Sequence, residues 1–452
     1  MSALAQYAEG LERQARQRGL DYYPVDFEIA PQSLMTEIAV YGLPVRMPHW
    51  SFGVRYIHQL VRQSMGNSKI FEVMFPGDPC RAFLMDSNSL AENALVTAHV
   101  LGHADFAKNN SLFARFHEMS GGNIVEQAAA HAHRIQRAIN EVGVERVESV
   151  LDAALALESH VDVAGELHRS RYPEFVAEKQ KPRRSAFHKR FDSLPGEVEV
   201  PDAPTGQLRT AIPPHPEYDL LWFIAHYAPD LELWERDIFL MVRAESLYFY
   251  PVFACQIMNE GWASYWHARL LREADFLPQP TYLEALKAHS DVVRPFAAGE
   301  QTALAVNPYH LGFTIWERIV EKHGLERAKE VRRDEDDFGF IRNWLDRELA
   351  EEAGLLVYEE AVDGEIKVAS RDVAAVREAI LAPKFNYGAP RVAVIGMSAD
   401  GSLELAHDHA ADGRGLDAGR ARQVLGYVRR MWRRAVRLQT VDERGDKIEL
   451  AA

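Results

Sequence analysis

The sequence predicts an α+β fold that is mainly α. A large helical domain with a small hairpin occupies residues 1–350, and a small α+β domain occupies residues 354–452. Three observations predict this. Helix-length segments with apolar residues at three- and four-residue spacing, stopped by Gly or Pro, dominate the first 350 positions. Two short apolar runs, Ile70–Pro76 and Arg81–Met85, flank the turn sequence GDPC. After Gly354 the pattern changes to short alternating strands around Asp363-Gly364 and Asp400-Gly401, with helices between them.

Taken in order, residues 3–18 read as an amphipathic helix ended by Gly19, and Asp21–Pro31 as extended chain. Gln32–Tyr41 is helical, and HWSFGVRY opens a further helix running to about Gly66. The hairpin follows. Ser89, with Glu92 three residues on, is a capping box that starts a helix running through His103. Asn123–Ile139 and Val144–Asp162 are helices. His131 and His133 on the first point to different faces, and His160 and Asp162 could cap the end of the second, where a cation is favoured, or support a site from behind it. Residues 170–214 carry a basic run, KQKPRRSAFHKR, and then a Pro- and Gly-containing stretch, and read as a long surface loop or linker. Asp219–Tyr227 and Leu233–Tyr250 are aromatic-rich helices, and Pro251 is expected to interrupt or kink the chain before the next one. Thr281–His289, Phe313–Lys322 and Asp336–Ala353 complete the helical domain. In the tail, Asp372–Leu381 and Leu416–Arg434 are helices among the strands, and Arg429, Arg430, Arg433 and Arg434 form a basic end suited to an acidic partner.

Composition narrows the function. The net charge of −15 over 452 residues argues against a general nucleic-acid binder. No run of about 18 apolar residues occurs, so no membrane span is expected. The two cysteines, Cys80 and Cys255, form no CxxC, which fits a reducing cytoplasm and excludes a cysteine-rich zinc site. The N-terminus has no apolar signal-peptide core, and the chain has no dinucleotide or P-loop fingerprint.

Chemistry concentrates in Met258–His267, MNEGWASYWH. On a helix Glu260, Ser264 and His267 share one face, and bulky apolar side chains cover the rest. Such a helix is expected to be buried at the centre of its domain. A buried carboxylate there needs a proton, a counter-charge or a metal. A Glu–Ser–His hydrogen-bonded network and a metal or catalytic site are both open. On the helix started by Ser89, His99 and His103 stand at i and i+4, the usual spacing for two imidazoles on one metal.

NEGWASYWH, HWSFG at 49–53, HVLGHADFAKNN at 99–110, NPYHLG at 307–312 and RNWL at 342–345 resemble the SpoVR family, the stage V sporulation protein R-like proteins, over about residues 10–350 and into the C-terminal region. The resemblance implies a link to spore cortex formation, and partners such as a serine protein kinase with an AAA+ domain and a von Willebrand A-like protein. It implies no established activity. NEGWASY also resembles the NEGxAxY motif of gluzincin-type zinc aminopeptidases, which implies zinc, a gluzincin-like helix pair, and Glu260 as third metal ligand beside His99 and His103.

Three protein ligands and an open position are the catalytic pattern for zinc. The departure is HVLGH, which puts Val100 where HExxH carries its general base. Asp105, His267 and Glu245 are the candidate proton carriers. Asp105 lies about 200° round the helix from His103, so it reaches the site only if the helix ends there. His267 as an alternative ligand would stand about 10 Å along the helix from Glu260. Tyr309 or His310 is a candidate to stabilise an oxyanion. Two functions are therefore expected to compete. One is a metal-dependent hydrolase of amide bonds in peptide or peptidoglycan-derived material, and the other is a non-enzymatic scaffold or regulatory partner of the kinase system.

Overall fold

In the computed structural model of the chain, residues 3–41, 49–64, 72–119, 124–169, 172, 212–294, 306–360, 366–398 and 400–452 are described. They fall into two compact units: Met1–Val161 with Glu232–Ala389, and Asp162–Leu231 with Pro390–Ala452. The architecture is mainly α with small sheets, as the residue patterns predict.

The first unit begins with α1 (Ala3–Gln17), β1 (Val25–Ala30), α2 (Gln32–Tyr41) and α3 (Trp50–Ser64). The expected hairpin is β2 (Glu72–Phe75) against β3 (Cys80–Met85), and β1 joins it, parallel to β3, to give the order β1-β3-β2. Next come α4 (Leu90–Asn109), α5 (Ser111–Met119), α6 (Ile124–Val142) and α7 (Val144–Ala156). The α4 start is the predicted capping box: Ser89 Oγ accepts from the Glu92 amide at 3.1 Å, and the Glu92 carboxylate accepts from the Ser89 amide at 2.8 Å.

The second unit opens with α8 (Gly165–His168) and α9 (Leu220–Tyr227). Most of the stretch expected as a loop at 170–214 lies outside the described residues. The chain then returns to the first unit with α10 (Leu233–Ala254), α11 (Gln256–Arg272), α12 (Gln279–Val292), α13 (Pro308–Asp334), α14 (Asp337–Trp344) and α15 (Arg347–Glu352). Pro251 sits inside the last turn of α10, and α10 and α11 are bent by 57° at the break. The helix expected over Asp336–Ala353 is two helices, because Asp346 stops one and caps the next through the Leu349 amide. No single helix among the described residues is long and apolar enough to cross a membrane.

The strands β4 (Val357–Glu360) and β5 (Ile366–Ser370), the helix α16 (Val373–Leu381) and the 3-10 stretch Ala382–Gly388 also belong to the first unit. The sequence reading placed them with the C-terminal domain. Lys384 ties them to Asp337 at 2.9 Å, and the Tyr387 hydroxyl donates to the Ser246 carbonyl at 2.8 Å. In the second unit β6 (Val392–Met397), β7 (Leu403–His407), α17 (His409–Asp412), α18 (Ala418–Trp432), β8 (Val436–Val441) and β9 (Lys447–Ala451) form a four-stranded sheet in sequence order. The β7–β8 pair is parallel, with α18 in the crossover. Glu217 bridges to Val394, and Phe223 stacks on Trp432 at 5.8 Å, so residues before α10 complete this body.

The core of the first unit is built on α4, α11 and α13. α11 is buried almost throughout, with Trp262, Trp266 and Trp316 fully enclosed. Its amino end is held by Asp337, which accepts from the Ile257 and Met258 amides at 3.0 and 2.9 Å. Glycines let the three helices touch. A Cβ on Gly102 would lie 2.7 Å from the Ala263 Cα, and one on Gly312 would lie 2.1 Å from the Ile257 carbonyl oxygen. We expect Gly312→Ala to cost about 1–3 kcal/mol or more in urea unfolding, the range for overpacking a filled core. Parent-like stability would contradict this contact.

Candidate metal centre

The close α4–α11 approach brings three predicted side chains together. His99 Nε2 and His103 Nε2 lie 3.4 and 3.5 Å from Glu260 Oε2. A fourth side chain, Glu72 on β2, was not foreseen. Its Oε1 is 3.9 Å from His99 Nε2, and Glu72, His99 and His103 offer ligand atoms within 4.8 Å of one another. The only sequence signal for Glu72 was a carboxylate in the apolar run IFEVMFP.

The outward face of each imidazole is already used. His103 Nδ1 donates to Asn259 Oδ1 at 2.9 Å, so in the neutral ring Nε2 carries the lone pair. His99 Nδ1 lies 2.9 Å from His267 Nδ1. His99 Nε2 and Glu260 Oε2 are shielded from solvent and have no hydrogen-bond partner. A nitrogen lone pair facing a carboxylate oxygen is repulsive unless a proton or a cation lies between them. The contacts of 3.4 and 3.5 Å are long for an N–H···O bond. They match the spacing of about 3.3–3.4 Å between two ligands each about 2.0–2.1 Å from one tetrahedral zinc. Two imidazoles with one or two carboxylates are a donor set that suits zinc and other first-row divalent ions.

Electrostatics separates the two carboxylates. Burial alone would raise the Glu260 carboxyl, but His103 and His99 outweigh it and hold Glu260 well below the usual carboxylate range. Burial pushes the Glu72 carboxyl up, the imidazoles oppose this, and the Glu260 charge adds to it. His103 is pulled down by burial, yet the Glu260 carboxylate lifts it above its ordinary value. Tyr309 stands beside this group. Its ring stacks on His99 at 6.1 Å, and the Glu260 charge, with burial, pushes its phenol well above its ordinary range.

The other predicted residues are placed differently. His267 lies behind His99, with Nε2 2.7 Å from His289 Nδ1, so both its nitrogens already face other imidazoles. Burial keeps the His267 imidazole well below its ordinary value, and burial with Arg272 brings His289 down to about 4. Of the two open readings for this face, the Glu–Ser–His network does not form, because Ser264 Oγ is buried without a hydrogen-bond partner. Asp105 does not reach the site. α4 continues to Asn109, and Asp105 accepts from the Asp21 amide and from Trp262 Nε1, both at 2.8 Å, and is paired with Arg332. Glu245 is paired instead with His131 at 3.0 Å. His310 bonds the Val293 carbonyl at 2.9 Å. Val100 is fully buried in an apolar cluster with Leu84 and Leu271, so α4 supplies no carboxylate in place of the HExxH glutamate.

Two family profiles cover the chain. One, described as SpoVR like protein, matches residues 1–388, and the other, the SpoVR-like C-terminal domain, matches residues 390–443. The chain belongs to the SpoVR family. The boundary between the two SpoVR profiles coincides with the step between the compact units at Ala389 and Pro390. A relative from Escherichia coli (strain K12), "Uncharacterized protein YcgB", is 31% identical over 350 residues, which cover 74% of this chain and 65% of that protein. The chain therefore aligns with less than two thirds of the length of that relative. No solved structure matches this SpoVR chain.

Proposed function

We propose that this protein is a metal-dependent hydrolase of amide bonds in peptide or peptidoglycan-derived material, with zinc held by His99, His103 and Glu260. The observation that carries this reading is the pair of 3.4 and 3.5 Å contacts that His99 Nε2 and His103 Nε2 make with the Glu260 carboxylate. Zinc there would supply Lewis acidity toward a carbonyl and toward water. The remaining work falls to side chains. Asn259 fixes the His103 tautomer, and Glu260 stays ionised between the two rings. Glu72, raised by burial and beside the same rings, is the group that takes up and returns a proton, in place of the carboxylate missing at position 100. The Tyr309 phenol stays protonated and hydrogen-bonded to Glu260, and on turning from that carboxylate it would be the donor toward a developing oxyanion.

Glu72→Gln is expected to lower kcat by about 10²–10⁴-fold, the range for a general acid–base group; loss of zinc in this variant would instead make Glu72 a ligand. The assay is mass-spectrometric detection of cleaved stem peptides and muropeptides. Unchanged turnover in this variant would remove Glu72 from the mechanism, and no cleavage by zinc-loaded parent protein would overturn the hydrolase reading. In this reading the activity serves spore cortex or envelope physiology from the cytoplasm; the sporulation reference in the family name supports the first part.

The buried Val100 favours a second reading, in which the protein is a non-enzymatic scaffold or regulatory partner of a serine protein kinase with an AAA+ domain and a von Willebrand A-like protein. Co-purification with those partners, unaffected by Glu260→Ala, would support it over the hydrolase.

A further inference from the structure

Behind His99 the site continues through imidazoles alone. His99 Nδ1 faces His267 Nδ1 at 2.9 Å, and His267 Nε2 faces His289 Nδ1 at 2.7 Å. His267 is fully enclosed, and His99 and His289 are 3% and 9% exposed. The three rings come from three helices, α4, α11 and α12. An N···N contact this short holds one hydrogen, because two N–H groups would clash and two lone pairs would repel. A neutral imidazole has one N–H to give. The neutral chain therefore has two patterns.

In the outward pattern His99 Nδ1–H donates to His267, His267 Nε2–H donates to His289, and the His289 proton sits on Nε2. In the inward pattern every bond is reversed. His289 Nδ1–H donates to His267 Nε2, His267 Nδ1–H donates to His99, and the proton of His99 sits on Nε2. Only the outward pattern leaves the His99 Nε2 lone pair open toward Glu260.

We infer that His267 and His289 are positioning residues that form a directed imidazole chain, whose polarity sets whether His99 presents a lone pair or a proton to the site. The inference rests on the metal-centre reading and extends it to α12, a helix that carries no ligand. Metal-binding histidines ordinarily have their second nitrogen fixed by a carboxylate or a carbonyl. Here another imidazole does so, and it can either donate or accept. By linkage, a cation on His99 Nε2 selects the outward pattern, and whatever fixes the chain at His289 alters cation affinity by the same free energy.

The test combines two substitutions with a spectroscopic readout. His289→Gln keeps an acceptor for His267 Nε2–H, whereas His289→Leu removes it. Zinc affinity, by chelator competition, is expected to stay within about 3-fold of the parent in His289→Gln and to fall about 10–100-fold in His289→Leu, the usual cost of losing an outer-shell partner. Circular dichroism checks that both variants fold. In 15N-histidine-labelled parent protein, zinc loading is expected to leave His267 and His289 with their protons on Nε2. Parent-like affinity in His289→Leu, or a zinc-loaded His267 protonated on Nδ1, would overturn the inference while the metal centre stood. Absence of hydrogen-bond scalar couplings across the two N–H···N contacts in the metal-free protein would overturn the chain independently of any metal. No zinc binding by the parent would overturn both the chain's coupling to the site and the metal-centre reading.

Discussion

Asp105→Ala is expected to destabilise the first unit by about 3–5 kcal/mol, the cost of breaking a buried ion pair from one side. Asp105 is fully buried and Arg332 is 7% exposed. The carboxylate also accepts from the Asp21 amide and from the Trp262 indole. Alanine would leave a guanidinium, an indole N–H and a backbone N–H without this acceptor in the core. Urea unfolding of the full chain measures the effect, and stability within about 1 kcal/mol of the parent would contradict it. The prediction separates a structural role from a chemical one, since a proton carrier would show its loss in turnover rather than in folding.

The second large effect is expected at Glu260. Its carboxylate is the group both imidazoles face, at 3.4 and 3.5 Å. Glu260→Ala should therefore weaken zinc by more than the roughly 10–100-fold that an outer-shell loss costs. Glu260→Gln keeps the shape and removes the charge, and should also weaken zinc. Chelator competition reads both, and parent-like affinity in either variant would show that the cation is held elsewhere.

Much of the fold was legible because the signals are local. The capping box at Ser89 and Glu92, the i,i+4 histidines and the apolar sides of α11 are each written within one element. The meeting of His99 and His103 with Glu260 was legible through the resemblance of NEGWASY to a known ligand motif. What was not legible depends on which elements meet in space. Glu72 arrives from a strand with no spacing relation to α4, and His289 from a helix after α11. Asp105 depended on where α4 ends: the helix runs on to Asn109, so the residue stays on the face away from His103, where it pairs with Arg332. Residues 354–389 read locally as part of a small C-terminal domain, yet Lys384 and Tyr387 anchor them to Asp337 and Ser246 of the first unit. Alternation in a strand reports burial of one face, not the body that buries it.

The central claim is that His99, His103 and Glu260 hold a metal ion, and elemental mass spectrometry of tag-free protein tests it most directly. The parent, His99→Ala and Glu260→Ala would be measured side by side, each checked for folding. The predicted result is about one zinc per chain in the parent and none in either variant. A folded parent that holds no metal after zinc is supplied, or variants that hold as much as the parent, would contradict it.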